Sequence, residues 1–179
     1  MQIALTKKVQ DYLGIKTLES YKDQDYFITD WGVNYFTLHR KKIFVFMNRK
    51  TKFIVIVPCT NKKNLIYDFD DKLELELIKA GVPQDKLDEM YLGLDNIRFI
   101  KNDSKSFTDS QVQMIKDIES YLYKGLYLSE NTAEMANTTL VKFHDGYDDP
   151  VIRLFDELDL AVKLIKYEEL KNHPRIKSN

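Results

Sequence analysis

Three apolar segments dominate the first third of the chain. "VNYFTL" (Val33–Leu38), "IFVFM" (Ile43–Met47) and "FIVIV" (Phe53–Val57) are rich in β-branched and aromatic residues, and the polar linkers "HRKK" and "NRKT" between them are of hairpin length. The spacing predicts an antiparallel β-meander over about residues 33–57. The second and third segments are apolar at every position, whereas a sheet wetted on one face alternates. Both faces are therefore expected to be covered, by helices from the rest of the chain or by a second copy in a homodimer.

Around this meander the pattern alternates between short strands and helical stripes. "QIAL" reads as a strand, Thr6 as a helix N-cap, and Gly14 as the stop of the helix "KKVQDYLG". Residues 16–30 are polar with scattered aromatics and read as a connecting segment. In residues 64–81, Ile66, Phe69, Leu73, Leu77 and Ala80 recur at i, i+3 or i+4, which predicts a helix ending at Gly81. Leu75 and Ile78 fall on its opposite face, and "KLELELI" also fits a period of two. Pro83 opens a further short helix, "NIRFIK" reads as a strand, and Met114, Ile115, Ile118, Tyr121 and Leu122 form a helical stripe with Thr108 or Asp109 as cap and Gly125 as terminator. Residues 128–149 are the least periodic, with a short strand at "TTLVKF". Pro150 then opens a long C-terminal helix capped by Asp149, with Val151, Leu154, Phe155, Leu158, Val162 and Ile165 facing a core. The expectation is one α+β domain over residues 1–179, with a basic β-rich part (1–63), an acidic helical part (64–172) and a frayed tail (173–179).

Composition narrows the class. With 179 residues, 44% of them hydrophobic, the chain is long and apolar enough to bury a core. The longest apolar run, Phe53–Val57, is too short to span a bilayer, and "MQIALTKKVQDYLG" reads as neither signal peptide nor lipidation site. Cys59 is the only cysteine, so no internal disulfide forms. Following Pro58 at the end of an apolar strand, it reads as an inert thiol. A cytoplasmic protein without membrane association is expected.

Charge changes the picture more than composition does. The net value is -1, but residues 1–63 carry twelve Lys/Arg against five Asp/Glu, hence +7, and residues 64–179 carry fifteen against twenty-three, hence -8. No acid occurs between Trp31 and Tyr67. Arg40, Lys41, Lys42, Arg49, Lys50 and Lys52 are thus candidates for binding nucleic acid or a partner, with Trp31, Tyr35, Phe36 and Phe44 nearby for stacking. Asp145, Asp148, Asp149, Asp156, Glu157 and Asp159 are candidates for an acidic partner surface, one that steers onto a cationic groove. The alternative is structural: strands with no polar face leave charge only at turns and edges, where cations discourage edge-to-edge pairing, and the acids are solvated helix faces.

Chemistry-bearing motifs are sparse. There is no G-x-S-x-G, no Gly-rich phosphate loop and no Cys/His set for zinc, and His39, His144 and His173 are scattered. No catalytic residue, metal or cofactor is assigned. The alternative is a metal-dependent nuclease or RNA-processing enzyme in which "HDGYDD" (His144, Asp145, Asp148, Asp149) holds Mg²⁺ or Mn²⁺. "DFDD" (Asp68–Asp71) with Glu74 and Glu76 offers a similar set. A turn around Gly146 followed by the Asp149 cap accounts for the first cluster, and acids favoured at a helix start account for the second.

The motifs Thr6-Lys7-Lys8, Asn34-x-Phe36-Thr37, Arg40-Lys41-Lys42, Asn48 with Thr51, and a strand ending at Pro58 resemble the N-terminal core of a family of small bacterial and phage-associated proteins without an assigned function. The likeness covers about the first third and continues weakly to about Leu122. It implies an α+β fold and a phage or mobile-element setting, and supplies no catalytic residues. By analogy, the expected function is that of a small non-enzymatic binding protein. The foremost candidate is an inhibitor of host nucleic-acid defence of the anti-CRISPR kind, whose partner is a Cas nuclease or its guide RNA. An antitoxin-like or structural partner of a neighbouring gene product is a third reading.

Overall fold

The structure is a computed structural model, and it describes residues 1–24, 26–90, 97–123, 132–139, 141–143 and 146–159. The expected meander is present and longer than its apolar segments: β2 (Asp30–Leu38), β3 (Lys41–Asn48) and β4 (Ile54–Cys59) are antiparallel neighbours. Two parallel strands extend it. β1 (Gln2–Leu5) pairs with β2 through Gln2↔Asp30 to Leu5↔Val33 and, on its other side, with β5 (Arg98–Lys101), giving a five-stranded mixed sheet of order β4-β3-β2-β1-β5. Pairing with β1 explains why β2 begins at Asp30, three residues before its apolar run.

Helices cover both faces, as the doubly apolar strands require. Phe44 and Phe46 of β3 and Phe53, Val55 and Val57 on or beside β4 share a core with Leu65, Phe69, Leu73 and Leu77 of α2 (Leu65–Ala80) and with Leu154 and Phe155 of α6 (Pro150–Glu157). Val9 of α1 (Lys7–Leu13) and Val82, ahead of α3 (Gln84–Glu89), join this side. Trp31 meets Phe69 edge-on at 5.2 Å, and Phe46 stacks on it at 4.1 Å. On the other face Ile43, Val45, Met47, Ile54 and Ile56 pack against Met114, Ile115 and Ile118 of α4 (Lys105–Tyr123) and Ala133 and Ala136 of α5 (Thr132–Asn137).

Several local expectations are refined. α1 and α2 end as expected at Gly14 and Gly81, both left-handed, and the Asp149 side chain caps α6 by accepting from the Ile152 N–H at 2.9 Å. α4 starts a turn earlier than Thr108 or Asp109, and Ser104 Oγ accepts from the Phe107 N–H at 3.3 Å. The segment 16–30 contributes a bridge from Glu19 to Ile100 and a 3₁₀ turn at Phe27–Thr29. The stretch 128–149 contains α5 as well as a hairpin of β6 (Val141–Phe143) and β7 (Gly146–Asp148). α6 is described to Glu157, with Asp159 at φ 51; Val162 and Ile165 lie outside the described residues, as does Gly125.

Two connections set the ends of the sheet. Leu38 pairs with Lys41, leaving His39 (φ 47) and Arg40 (φ 67) as the two loop residues, both left-handed as in a type I′ turn. Neither is a glycine, and each left-handed residue costs on the order of 1 kcal/mol. Replacing His39-Arg40 by Asn-Gly is expected to raise the unfolding free energy by about 1 kcal/mol, read as a higher denaturation midpoint at constant m-value. At the far end, the buried Asn48 side chain organises the β3–β4 loop. Its Oδ1 accepts from Lys50 N (3.0 Å), Thr51 N (3.0 Å) and Thr51 Oγ1 (3.2 Å), and its Nδ2 donates to the carbonyls of Phe27 (2.8 Å) and Asp30 (3.3 Å). On the outer side of β4, Asn137 of α5 accepts from Ile54 N at 2.7 Å and donates to Ile54 O at 2.9 Å.

Candidate functional site

β3 runs between two clusters of cations, and the candidate site residues divide between its ends. Lys42 and Asn48 are six positions apart, about 20 Å of strand at 3.3 Å per residue. Arg40, Lys41 and Lys42 lie at one end, whereas Arg49, Lys50 and Lys52 lie at the other.

The first end is cationic and aromatic. Lys42 pairs with Cys59, so the loop that follows β4, with exposed Lys62 and Lys63, leaves the sheet beside the His39-Arg40 turn. β1 stops opposite Val33 while β2 continues to Leu38, and α1 starts in the space beyond β1. From α1, Lys8 Nζ donates to the Tyr35 carbonyl at 2.6 Å and sits 4.7 Å from the Tyr35 ring centroid. Lys42 Nζ lies 4.7 Å from Tyr35 and 4.9 Å from Tyr12, whose hydroxyl is 3.9 Å from Cys59 Sγ. Burial pushes the Lys8 ammonium below its usual range; Glu119 opposes this and Lys42 adds to it. Arg40 and Lys41 are exposed, and Tyr67, in the first turn of α2, is 68% exposed. Of the stacking candidates, Trp31, Phe36 and Phe44 are buried and Tyr35 is half-buried.

The second end is a polar corner beside the start of α4. Arg49 Nε lies 3.4 Å from Asp30 Oδ2, and the Arg49 guanidinium carbon lies 4.9 Å from the Tyr21 ring and 4.8 Å from Phe107. Tyr21 donates its hydroxyl to Asp30 Oδ2 at 3.1 Å. Lys52 Nζ donates to the Arg49 carbonyl at 3.2 Å and sits 4.5 Å from the Phe107 ring. Burial, and then the adjacent Arg49, pull the Lys52 ammonium down to about 8. Burial, and then Asp30, push the Tyr21 phenol up to about 12. Burial also raises the Asp30 carboxyl against the pull of Arg49. Perturbed groups gathered in this way are a physical marker of a functional site. Lys50 points elsewhere and forms an ion pair with Glu157 at 2.6 Å.

The acidic candidates are distributed rather than gathered. Asp148 pairs with Arg153 at 2.9 Å, Asp149 is the buried cap of α6, Glu157 meets Lys50, and Asp156 and Asp159 are exposed. His144 and Asp145 lie outside the described residues. Asp68, Asp70 and Asp71 fall within α2, where burial, then Asp71 and Glu74, raise the Asp70 carboxyl. Glu76 is buried against Lys79 at 3.0 Å. Among the described residues no group of three His, Cys, Asp or Glu side chains could hold a metal ion, and no helix is long and apolar enough to cross a membrane.

Lys8 and Tyr12 at the first end, and Tyr21, Asp30 and Phe107 at the second, were not legible as site residues. The i, i+4 spacing of Lys8 and Tyr12 is visible in the sequence. Bringing that pair to Tyr35 requires the parallel β1–β2 pairing, which no local pattern announces. Asn48 and Thr51, two of the motif residues shared with the resembling family, prove to be the hydrogen-bonded frame of the second end.

No curated protein matches the chain. Residues 2–152, which span both ends of β3 and both helical layers, match a family described as a domain of unknown function. The chain belongs to the DUF6933 family.

Proposed function

We propose that this protein works by binding the phosphate backbone of a nucleic acid, RNA in the first instance, with the cationic end of its sheet. The observation that carries the reading is the strand register: Lys42 opposite Cys59 puts the turn with Arg40 and Lys41 and the loop with Lys62 and Lys63 at the same end of the sheet, where Lys8 and Lys42 lie over the Tyr35 ring. Ammonium and guanidinium groups neutralise phosphates and release their counterions, while the exposed Tyr67 offers a face for stacking a base. Five of these six cations come from the acid-free stretch between Trp31 and Tyr67, while Lys8 has Glu119 nearby. Within this reading, the function is that of an accessory factor of phage or mobile-element type. A ribonucleoprotein such as a Cas nuclease with its guide RNA has the chemistry such a surface requires.

Fluorescence anisotropy with a labelled single-stranded RNA tests it. Affinity is expected to fall steeply with salt, and the double variant Arg40→Glu/Lys41→Glu is expected to lose at least tenfold, with a shallower salt dependence by about 0.7 per phosphate contact removed. Lys50→Gln, at the opposite end of β3, is expected to leave binding unchanged. Absence of binding at low salt, or equal losses in both variants, would rule the reading out. Retention on an immobilised Cas effector, sensitive to the same double variant, tests the narrower partner assignment.

A further inference from the structure

The two outermost strands of the sheet are closed in different ways. β4 is met by the Asn137 carboxamide, whereas β5 is met by the chain's own segment 16–22. Toward β1, the Arg98 N–H donates to the Met1 carbonyl and the Asn102 N–H to the Leu5 carbonyl. Alternate residues of a parallel ladder face opposite sides, so the backbone groups of Phe99 and Lys101 point outward. Glu19 lies against them like one residue of a further parallel strand, its N–H donating to the Phe99 carbonyl at 2.8 Å. The pairing stops there. Among the described residues no group accepts from the Phe99 N–H or donates to the Lys101 carbonyl.

The segment is lightly held. Its anchors are at its ends: the Ile15 carbonyl accepts from Gln10 Nε2 at 3.0 Å, the Tyr21 hydroxyl donates to Asp30, and the Lys22 carbonyl accepts from Gln2. Between them Lys16, Thr17, Glu19 and Ser20 are exposed, and Leu18 is partly buried against the core that Ile97 and Phe99 also border. Glu19 Oε2 lies 3.6 Å from Arg98 Nη1 with its side chain 55% exposed, so this ion pair adds little stability. Among the described residues only Glu19 is within ion-pair distance of Arg98; Asp23 and Asp103 are exposed and lie outside it. With Glu19 displaced, the edge carries Arg98 and Lys101 unopposed. Such an edge repels a second copy of itself and favours a strand that brings carboxylates.

We propose that the outer edge of β5 is a strand-addition site for an extended, carboxylate-bearing segment of a partner protein, and that Leu18-Glu19-Ser20 is the chain's own occupant of that site. The partner segment bonds the Phe99 and Lys101 backbone, sets an apolar side chain where Leu18 lies and places its carboxylate on Arg98. The site lies on the edge of the sheet opposite β4 and does not rest on the RNA-binding reading.

Fluorescence anisotropy on the whole chain tests this with the peptide "KTLESY" (Lys16 to Tyr21), amidated and labelled at its amino end. Glu19→Pro removes both the N–H to Phe99 and the carboxylate on Arg98, and so frees the edge. That variant is expected to bind the peptide at least tenfold more tightly than the unaltered chain, in which the tethered segment competes at high effective concentration. Amide exchange at Phe99 is expected to slow on binding, because its N–H gains an acceptor. A peptide with glutamine in place of its glutamate is expected to bind about threefold more weakly. If Glu19→Pro does not fold, Glu19→Gln loses the ion pair alone and is expected to raise peptide affinity about threefold. Binding by neither chain, equal binding by both, an unchanged Phe99 amide, or a glutamine peptide that binds as tightly overturns the proposal. Concentration-dependent dimers of Glu19→Pro in place of peptide binding would assign the edge to a second copy and overturn it as well.

Discussion

Asn48→Ala is expected to lower the unfolding free energy by about 3–4 kcal/mol. Asn48 is fully buried, and its amide satisfies three donors of its own loop and two backbone carbonyls from the segment that leads into β2. Alanine removes all five bonds and fills none of the space, so the buried Phe27 carbonyl and Thr51 N–H lose partners that water cannot replace without opening the loop, the exposed Lys50 loses a bond, and the Asp30 carbonyl keeps the Arg49 N–H. For a chain of this size the loss corresponds to a melting temperature lower by about 10 °C. Asn48→Asp is a discriminating companion. It keeps an oxygen for the loop N–H groups but turns a second oxygen toward the Phe27 and Asp30 carbonyls, so it is expected to destabilise as well. A loss below about 1 kcal/mol for the alanine variant would mean that the loop is held by its backbone alone.

Gly32→Ala is expected to be about as damaging, for a steric reason. A Cβ at this position would stand 2.2 Å and 2.9 Å from two Phe107 ring carbons and 3.0 Å from Gln111 Nε2. The backbone cannot retreat, because Gly32 is paired with Ala4 on one side and Met47 on the other. Phe107 must therefore leave its place, taking with it the ring that Arg49 and Lys52 contact. A cost of about 3 kcal/mol is expected from overpacking. The explanation makes a stricter demand on a double-mutant cycle. Gly32→Ala combined with Phe107→Ala must cost less than the sum of the two single changes, by about 1 kcal/mol or more. Additive losses would show that Gly32 is required for another reason.

The parts of this molecule that follow from local physics were legible in the residues. Strands apolar at every position require cover on both faces, and α2, α4, α5 and α6 supply it. Gly14, Gly81 and Asp149 end or begin helices where their backbone preferences dictate. What was not legible depends on pairing between distant segments. β1 and β5 are short and unremarkable alone, and their parallel insertion beside β2 extends that strand back to Asp30. That extension brings Asp30 to Arg49, and Tyr21 with it. The six basic turn residues look like one patch in the sequence because the strand between them is short in residue count. In space, an extended β3 separates them into an open cationic end and a half-buried polar corner. The apparent charge polarity between the two halves of the chain is likewise reduced by pairs that cross it, such as Lys50 with Glu157.

The Asn137 carboxamide has a consequence for how the chain is made. β4 is an outermost strand, and its partner groups at Ile54 come from a residue 83 positions later. As the nascent chain leaves the ribosome, β2, β3 and β4 are complete long before α5 exists, and during that interval Ile54 offers its amide and carbonyl to any neighbour able to add a strand. Once α5 docks, a single side chain imitates the missing neighbour and withdraws that invitation. The rate of docking, more than the final stability, then sets how readily newly made copies recruit one another.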